Sequence, residues 1–84
     1  PKNTDVMLDL SVALFETGKA DAAEAMTMKV LQLEPKNTTA MYNLGALAAS
    51  QDKKDEARKH WEKLIKEYPD SPNAERAKQF MKNL

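Results

Sequence analysis

Laid against itself at an offset of 34 residues, with no gap, the chain repeats itself at ten positions of 34, where average composition gives about two by chance. Pro1-Lys2-Asn3-Thr4 returns as Pro35-Lys36-Asn37-Thr38, and Pro69-Asp70-Ser71 opens a third period. Within the unit Met7 meets Met41, Leu10 meets Leu44, Lys19 meets Lys53, Asp21 meets Asp55, Ala23 meets Ala57 and Lys29 meets Lys63. A period of this length marks a supersecondary unit that cannot bury its apolar side alone and must stack on neighbouring copies.

Each unit reads as two helices. Met7, Leu10 and Leu14, then Ala23, Val30 and Leu31, fall at three-, four- and seven-residue steps, the spacing of one helix face. Gly18 separates the two runs where a residue tolerant of positive φ can end one helix and turn the chain; Gln51-Asp52 holds that place in the second unit. Pro35 and Pro69 close the units, because proline disfavours helix in the residue before it. Thr4 and Thr38 are the expected N-caps. Ser71-Pro72, a capping residue followed by proline, opens a last helix. Its apolar residues Ala74, Ala77, Phe80, Met81 and Leu84 make one stripe, while Glu75, Arg76, Lys78, Gln79 and Lys82 face water. The expected helices run over about 5–17, 20–33, 39–50, 54–67 and 72–83. The fold class is therefore all-α, two antiparallel helix hairpins and a capping helix. They form one unit over 1–84, with repeats at about 1–34 and 35–68 and the cap at about 70–84.

The second unit reads Met41-x2-Leu44-Gly45-x2-Ala48, then Ala57-x3-Trp61, then Pro69; the first reads Met7-x2-Leu10-Ser11-x2-Leu14, then Ala23-x3-Thr27, then Pro35. This resembles the tetratricopeptide repeat, W-x2-L-G-x2-Y, A-x3-F and P on the same period. The resemblance covers residues 1–69, and 70–84 is similar to the extra closing helix of such proteins. It implies a right-handed α-solenoid and no catalysis. In the pattern, Gly45 or Ser11 and Ala23 or Ala57 leave room where paired helices approach, and Met41 and Trp61 fill the gaps between successive hairpins. The first unit departs most, with Thr27 at an aromatic position.

The resemblance also implies a partner site on the concave face lined by the first helix of each hairpin. Carried over by position, its residues are Asp5, Leu8, Val12 and Phe15, then Thr39, Tyr42, Ala46 and Ala49, then Asn73, Arg76 and Phe80. Some relatives grip a peptide carboxylate with two lysines, two asparagines and an arginine. Only Asn43 fits that arrangement here, with Leu8, Val12, Asn73 and Ala77 at the other places, so a clamp of that kind is not expected.

Composition narrows the function further. Thirteen basic and thirteen acidic side chains cancel, which gives no electrostatic case for nucleic acid or anionic lipid. Residues 1–34 hold three basic and six acidic groups and residues 35–84 ten and seven, a difference expected of solvated helix surface. Without cysteine there is no disulfide or thiolate metal site, and no apolar run has the roughly 20 residues of a membrane helix. A chain that opens at Pro1, the closing position of a repeat, reads as a piece of a longer one. His60 is the lone histidine, among Arg58, Lys59 and Glu62, and is expected on the surface. Gly18 and Gly45 cannot make a phosphate-cradling loop, and no serine sits in a nucleophile elbow. Asp55 and Glu56 fit a helix start, where negative charge meets the positive end of the dipole. The basic residues around Trp61 alternate with acidic ones and read as a solvated face. Five methionines at helical spacing read as core fillers.

No enzyme, cofactor or metal is expected. The leading expectation is a protein–protein interaction module that holds a peptide or protein in its concave groove. The alternative is an assembly element of a larger scaffold, and the segment from Trp61 to Pro72, similar to stretches of bacterial envelope relatives, implies a place in the bacterial cell envelope for it. The first helix bears on both. Val6, Met7, Leu8, Leu10, Val12, Ala13, Leu14 and Phe15 make it apolar almost all round, whereas a surface helix shows one stripe. Either Leu8, Val12 and Phe15 line an apolar groove, or Val6, Leu10 and Ala13 are covered by another repeat or by self-association.

Overall fold

A computed structural model describes residues 3–84; Pro1 and Lys2, which share in the repeated Pro-Lys-Asn-Thr, lie outside them. The described residues form five helices: α1 (Thr4–Glu16), α2 (Ala20–Leu33), α3 (Thr38–Ser50), α4 (Lys54–Glu67) and α5 (Pro72–Met81). Among the described residues there is no strand. α1 packs on α2 and α3 on α4, α2 packs on α3 between the hairpins, and α5 lies against both α3 and α4. The fold is the all-α helical repeat that the period implies.

The helix starts correct one expectation. The caps are Asn3 and Asn37, one residue before the threonines: Asn3 Oδ1 accepts from the Val6 amide at 3.2 Å and Asn37 Oδ1 from the Ala40 amide at 3.0 Å. An asparagine amide oxygen satisfies one of the free N–H groups of the first turn, so the hydroxyls are released for other work. Thr4 Oγ1 donates to Glu34 at 2.9 Å, and the Asn37 amide donates to the same carboxylate oxygen at 3.0 Å, which ties the start of α1 to the link between hairpins. Ser71 caps α5 as expected, accepting from the Asn73 amide at 3.1 Å with Pro72 in the first turn. α5 ends at Met81, a little short of the expected 83.

Both hairpin turns have the same geometry. Lys19 N–H donates to Leu14 O at 2.8 Å and Lys53 N–H to Ala48 O at 2.9 Å, with Gly18 N–H on Phe15 O and Asp52 N–H on Ala49 O. This is a Schellman closure, which needs its turning residue in the left-handed region. Gly18 has φ +85° and Asp52 φ +62°.

The core divides along the repeat. Leu8 of α1 packs with Val30 of α2 and with Ala40 of α3, a small cluster that joins the first hairpin to the second. In the second, Met41, Ala48, Ala57, Trp61 and Leu64 join Ala74 and Ala77 of α5. Ala23 and Ala57 are fully buried where paired helices approach. Trp61 departs from the expected role. Its indole lies inside the second hairpin, over Gly45, where a Cβ would overlap the ring, and its Nε1 donates to Tyr42 O at 3.1 Å. Large side chains were expected between hairpins; this one fills the hollow that glycine leaves within one, beneath α5.

Candidate protein-interaction face

α1 and α3 lie side by side and enclose a cleft of about 130 Å³ lined by Ser11, Val12, Phe15, Asn43, Ala46, Leu47 and Ser50. Val12 and Phe15 are 46% and 39% exposed, so the apolar walls meet solvent. Asn43 supplies the one amide among them, a group with both donor and acceptor capacity. The structure thus brings together four of the residues assigned to this face, Val12, Phe15, Asn43 and Ala46. It adds Ser11, Leu47 and Ser50, which the positional transfer missed. The signal for Ser11 was present, because a small residue at a close helix approach also leaves a hollow.

The remaining assigned residues separate into four groups. Leu8 is only 7% exposed and packs on Val30 and Ala40; it belongs to the core, and its expected place in an apolar groove is corrected. The reason is helical phase, since Thr4, Leu8 and Ser11 share the face that α1 turns inward. Thr39 and Asn73 are engaged with each other. The Asn73 amide donates to Thr39 Oγ1 and to Thr38 Oγ1, both at 3.1 Å, and fastens the start of α5 to the start of α3. Asp5 and Arg76 are exposed at opposite ends of the face, and Ala49 is half-buried against the second core.

Tyr42 and Phe80 belong to an aromatic cluster built on Trp61. The Tyr42 and Trp61 centroids are 6.2 Å apart, Trp61 and Phe80 5.9 Å, and Tyr42 and Phe80 6.1 Å. Offset or tilted pairs in this range are favourable beyond their buried area. Phe80 remains 51% exposed, so part of the cluster meets solvent. Its Trp61 base was not assigned to this face, because a helical period places Trp61 on α4 and cannot show how far an indole reaches.

A second cleft, of about 370 Å³, opens on the opposite side between α2, α3 and α4, lined by Met28, Leu31, Gln32, Pro35, Met41, Leu44, His60 and Lys63. His60 was expected on the surface; it is half-buried here. Burial lowers its pKa below the ordinary 6.5, with Lys63 acting in the same direction and Glu56 and Glu24 opposing. The methionines also divide: Met41 is in the core, whereas Met28 is 52% exposed at the rim of this cleft. The basic residues of α4 meet solvent as expected, with one exposed ion pair, Arg58 to Asp55 at 3.5 Å, of the kind that contributes little to stability.

The stacked hairpins and the closing α5 define an all-α helical-repeat protein. Family models described as tetratricopeptide repeat match residues 4–37 and residues 39–71. The chain belongs to the tetratricopeptide repeat family. Repeats of this family are generally protein–protein interaction modules and non-catalytic scaffolds. No curated protein matches the chain. No described helix is long and apolar enough to cross a membrane.

Proposed function

We propose that this chain works as one non-catalytic unit over residues 1–84, holding a peptide segment along the face of α1, α3 and α5. The observation that carries this reading is the α1–α3 cleft. A cavity of about 150 Å³ holds a benzene ring, so the cleft's roughly 130 Å³ suits one aliphatic or aromatic side chain. Val12, Phe15 and Ala46 supply its apolar walls, and the Asn43 amide is placed to pair with the backbone of the segment that carries the anchor. A buried anchor ringed by near-neutral contacts is how small interfaces concentrate affinity. Phe80 and Arg76 extend the face along α5 for a neighbouring residue of the same segment.

Selection from a displayed peptide library tests this reading. The enriched peptides are expected to share an apolar anchor, and Val12→Asp, Phe15→Ala and Asn43→Ala to weaken them by at least about tenfold. These positions are exposed or half-exposed, so circular dichroism should remain helical. Tyr42 is a poor probe, because its ring supports Trp61 and Phe80. Selected peptides that bind all three variants as tightly as the parent would sink the assignment.

A further inference from the structure

We infer that the segment held on the inner face carries lysine or arginine beside its apolar anchor, on the flank that passes α1, so that the partner is a basic stretch of another protein. This deepens the peptide-holding reading above and rests on it. Three of the six acidic groups of residues 1–34 stand on α1, and none of the three basic ones does. Asp5, Asp9, Val12 and Glu16 follow one another at steps of four, three and four, which sets them in one row along the helix. Val12 is a wall of the α1–α3 cleft. The repeat puts the row on the inner face by a second route. One period on from Asp9 and Glu16 are Asn43 and Ser50, and both line that cleft from α3. Where α3 offers an amide and a hydroxyl, α1 offers two carboxylates.

Two of the three acids do not serve the helix that carries them. Asp5 suits the first turn, but Asp9 repeats its charge one turn on, a like pair at a spacing that weakens a helix. Glu16 ends α1, at the negative pole of the helix dipole, and the last turn holds no basic residue. All three are exposed, and the one ion pair among the described residues is Arg58 to Asp55 on α4. The cation that would relieve the row is therefore left for a ligand to bring. α3 carries no charged residue, and Arg76 is exposed on α5. The inner face thus runs from acidic through neutral to basic. A segment crossing it gains most with its basic flank over α1 and a neutral or acidic flank toward Arg76, so the charges also set its direction.

The test is a displayed library of linear peptides with a central leucine or phenylalanine and random flanks, selected on the parent and on Asp9→Asn with Glu16→Gln. On the parent, lysine and arginine are expected to be enriched on one flank. On the variant the anchor should persist and that bias should vanish. The leading parent-selected peptide should bind the variant at least about tenfold more weakly by titration calorimetry at low salt, and the gap should narrow as salt rises. Phe15→Ala should weaken it in parent and variant alike. Both substitutions are exposed and nearly isosteric, so the variant should unfold in urea at a midpoint no lower than the parent's. Selected peptides that depend on Phe15 but show no basic flank overturn this inference and leave the peptide-holding reading standing. Failure to select any peptide overturns both. Basic peptides indifferent to Phe15→Ala overturn it too, since charge would then act without an anchor. So does a lower midpoint, which would give the carboxylates to the fold. A dimer by sedimentation that the variant dissolves also overturns it, because a second copy would then be the occupant.

Discussion

The two hairpins have one backbone plan and opposite ways of filling it. Where paired helices cross, the first sets Ser11 against Thr27 and the second sets Gly45 against Trp61, at equivalent positions of the repeat. Ser11 and Thr27 are buried, and each hydroxyl is satisfied within its own helix, Ser11 Oγ on Leu8 O at 3.0 Å and Thr27 Oγ1 on Ala23 O at 2.9 Å. They tie nothing together. Gly45 and Trp61 make one interlocked pair, whose indole bonds to Tyr42 O across the hairpin and packs against both Tyr42 and Phe80. Hence the second hairpin holds the larger core and recruits α5, while the first is joined chiefly through Leu8, Val30 and Ala40. The repeat needs matched volumes at the crossing and does not need particular residues. The hairpin with less core has more of its apolar surface free for partners.

The sharpest way to break this comparison is to remove the filler from each hairpin. Trp61→Ala should cost about 3–5 kcal/mol, a large share of the roughly 5–15 kcal/mol expected of a small domain. Urea unfolding should show the loss as a lower midpoint. Thr27→Ala, which deletes a hydroxyl bonded only to its own helix, should cost no more than about 1 kcal/mol. Gly45→Ser alone should cost about 1–3 kcal/mol by overpacking against the indole. Combined with Trp61→Thr, it should add little to the loss already caused by removing the tryptophan, because the clash is gone. Additive losses in that double-mutant cycle would show that Gly45 and Trp61 are not one device.

Much of this fold is legible in the sequence. Period, turn residues and Ser71-Pro72 are local or recurrent signals, and they placed all five helices to within about two residues. The misreadings share a physical cause. Asparagine and threonine both cap helices, so sequence could not decide between Asn3 and Thr4. Leu8 was assigned to the inner face by position in the repeat, yet one helical step decides whether a residue faces the groove or the partner helix. The reach of Trp61 and the half-burial of His60 depend on what neighbouring helices leave open, which no single-helix pattern contains. The cleft residues found were those whose neighbours are small, Val12 and Phe15 opposite Asn43 and Ala46.

The turns carry the comparison to a smaller scale. A Cβ at Gly18 would meet nothing within 4 Å, so Gly18→Ala tests backbone conformation alone. Left-handed backbone disfavours alanine by about 1–2 kcal/mol, and the midpoint in urea should fall accordingly. Asp52 already holds the equivalent place at φ +62°, since a short polar side chain tolerates this region. Asp52→Gly should therefore gain less than Gly18→Ala loses, glycine's greater freedom in the unfolded chain offsetting part of the relief. A gain equal to that loss would mean that the aspartate is as strained as an alanine.

The finest contrast is at one position of the second helix, Met26 in the first hairpin and His60 in the second. His60 lines the cleft against α2 with Lys63 beside it, and burial holds its pKa below the ordinary 6.5 in spite of Glu56 and Glu24. The unfolded chain then binds a proton to His60 more readily than the folded one, so stability rises with pH where the two differ. The contribution should be fully present above the unfolded value. It should be lost as pH falls through 6.5, and the loss should end once the lower folded pKa has been passed. His60→Met, which copies the first hairpin, should flatten the urea midpoint across this window and leave the carboxylate-driven fall at lower pH in place. An unchanged slope in that variant would place the pH dependence elsewhere and reduce His60 to an ordinary wall of the cleft.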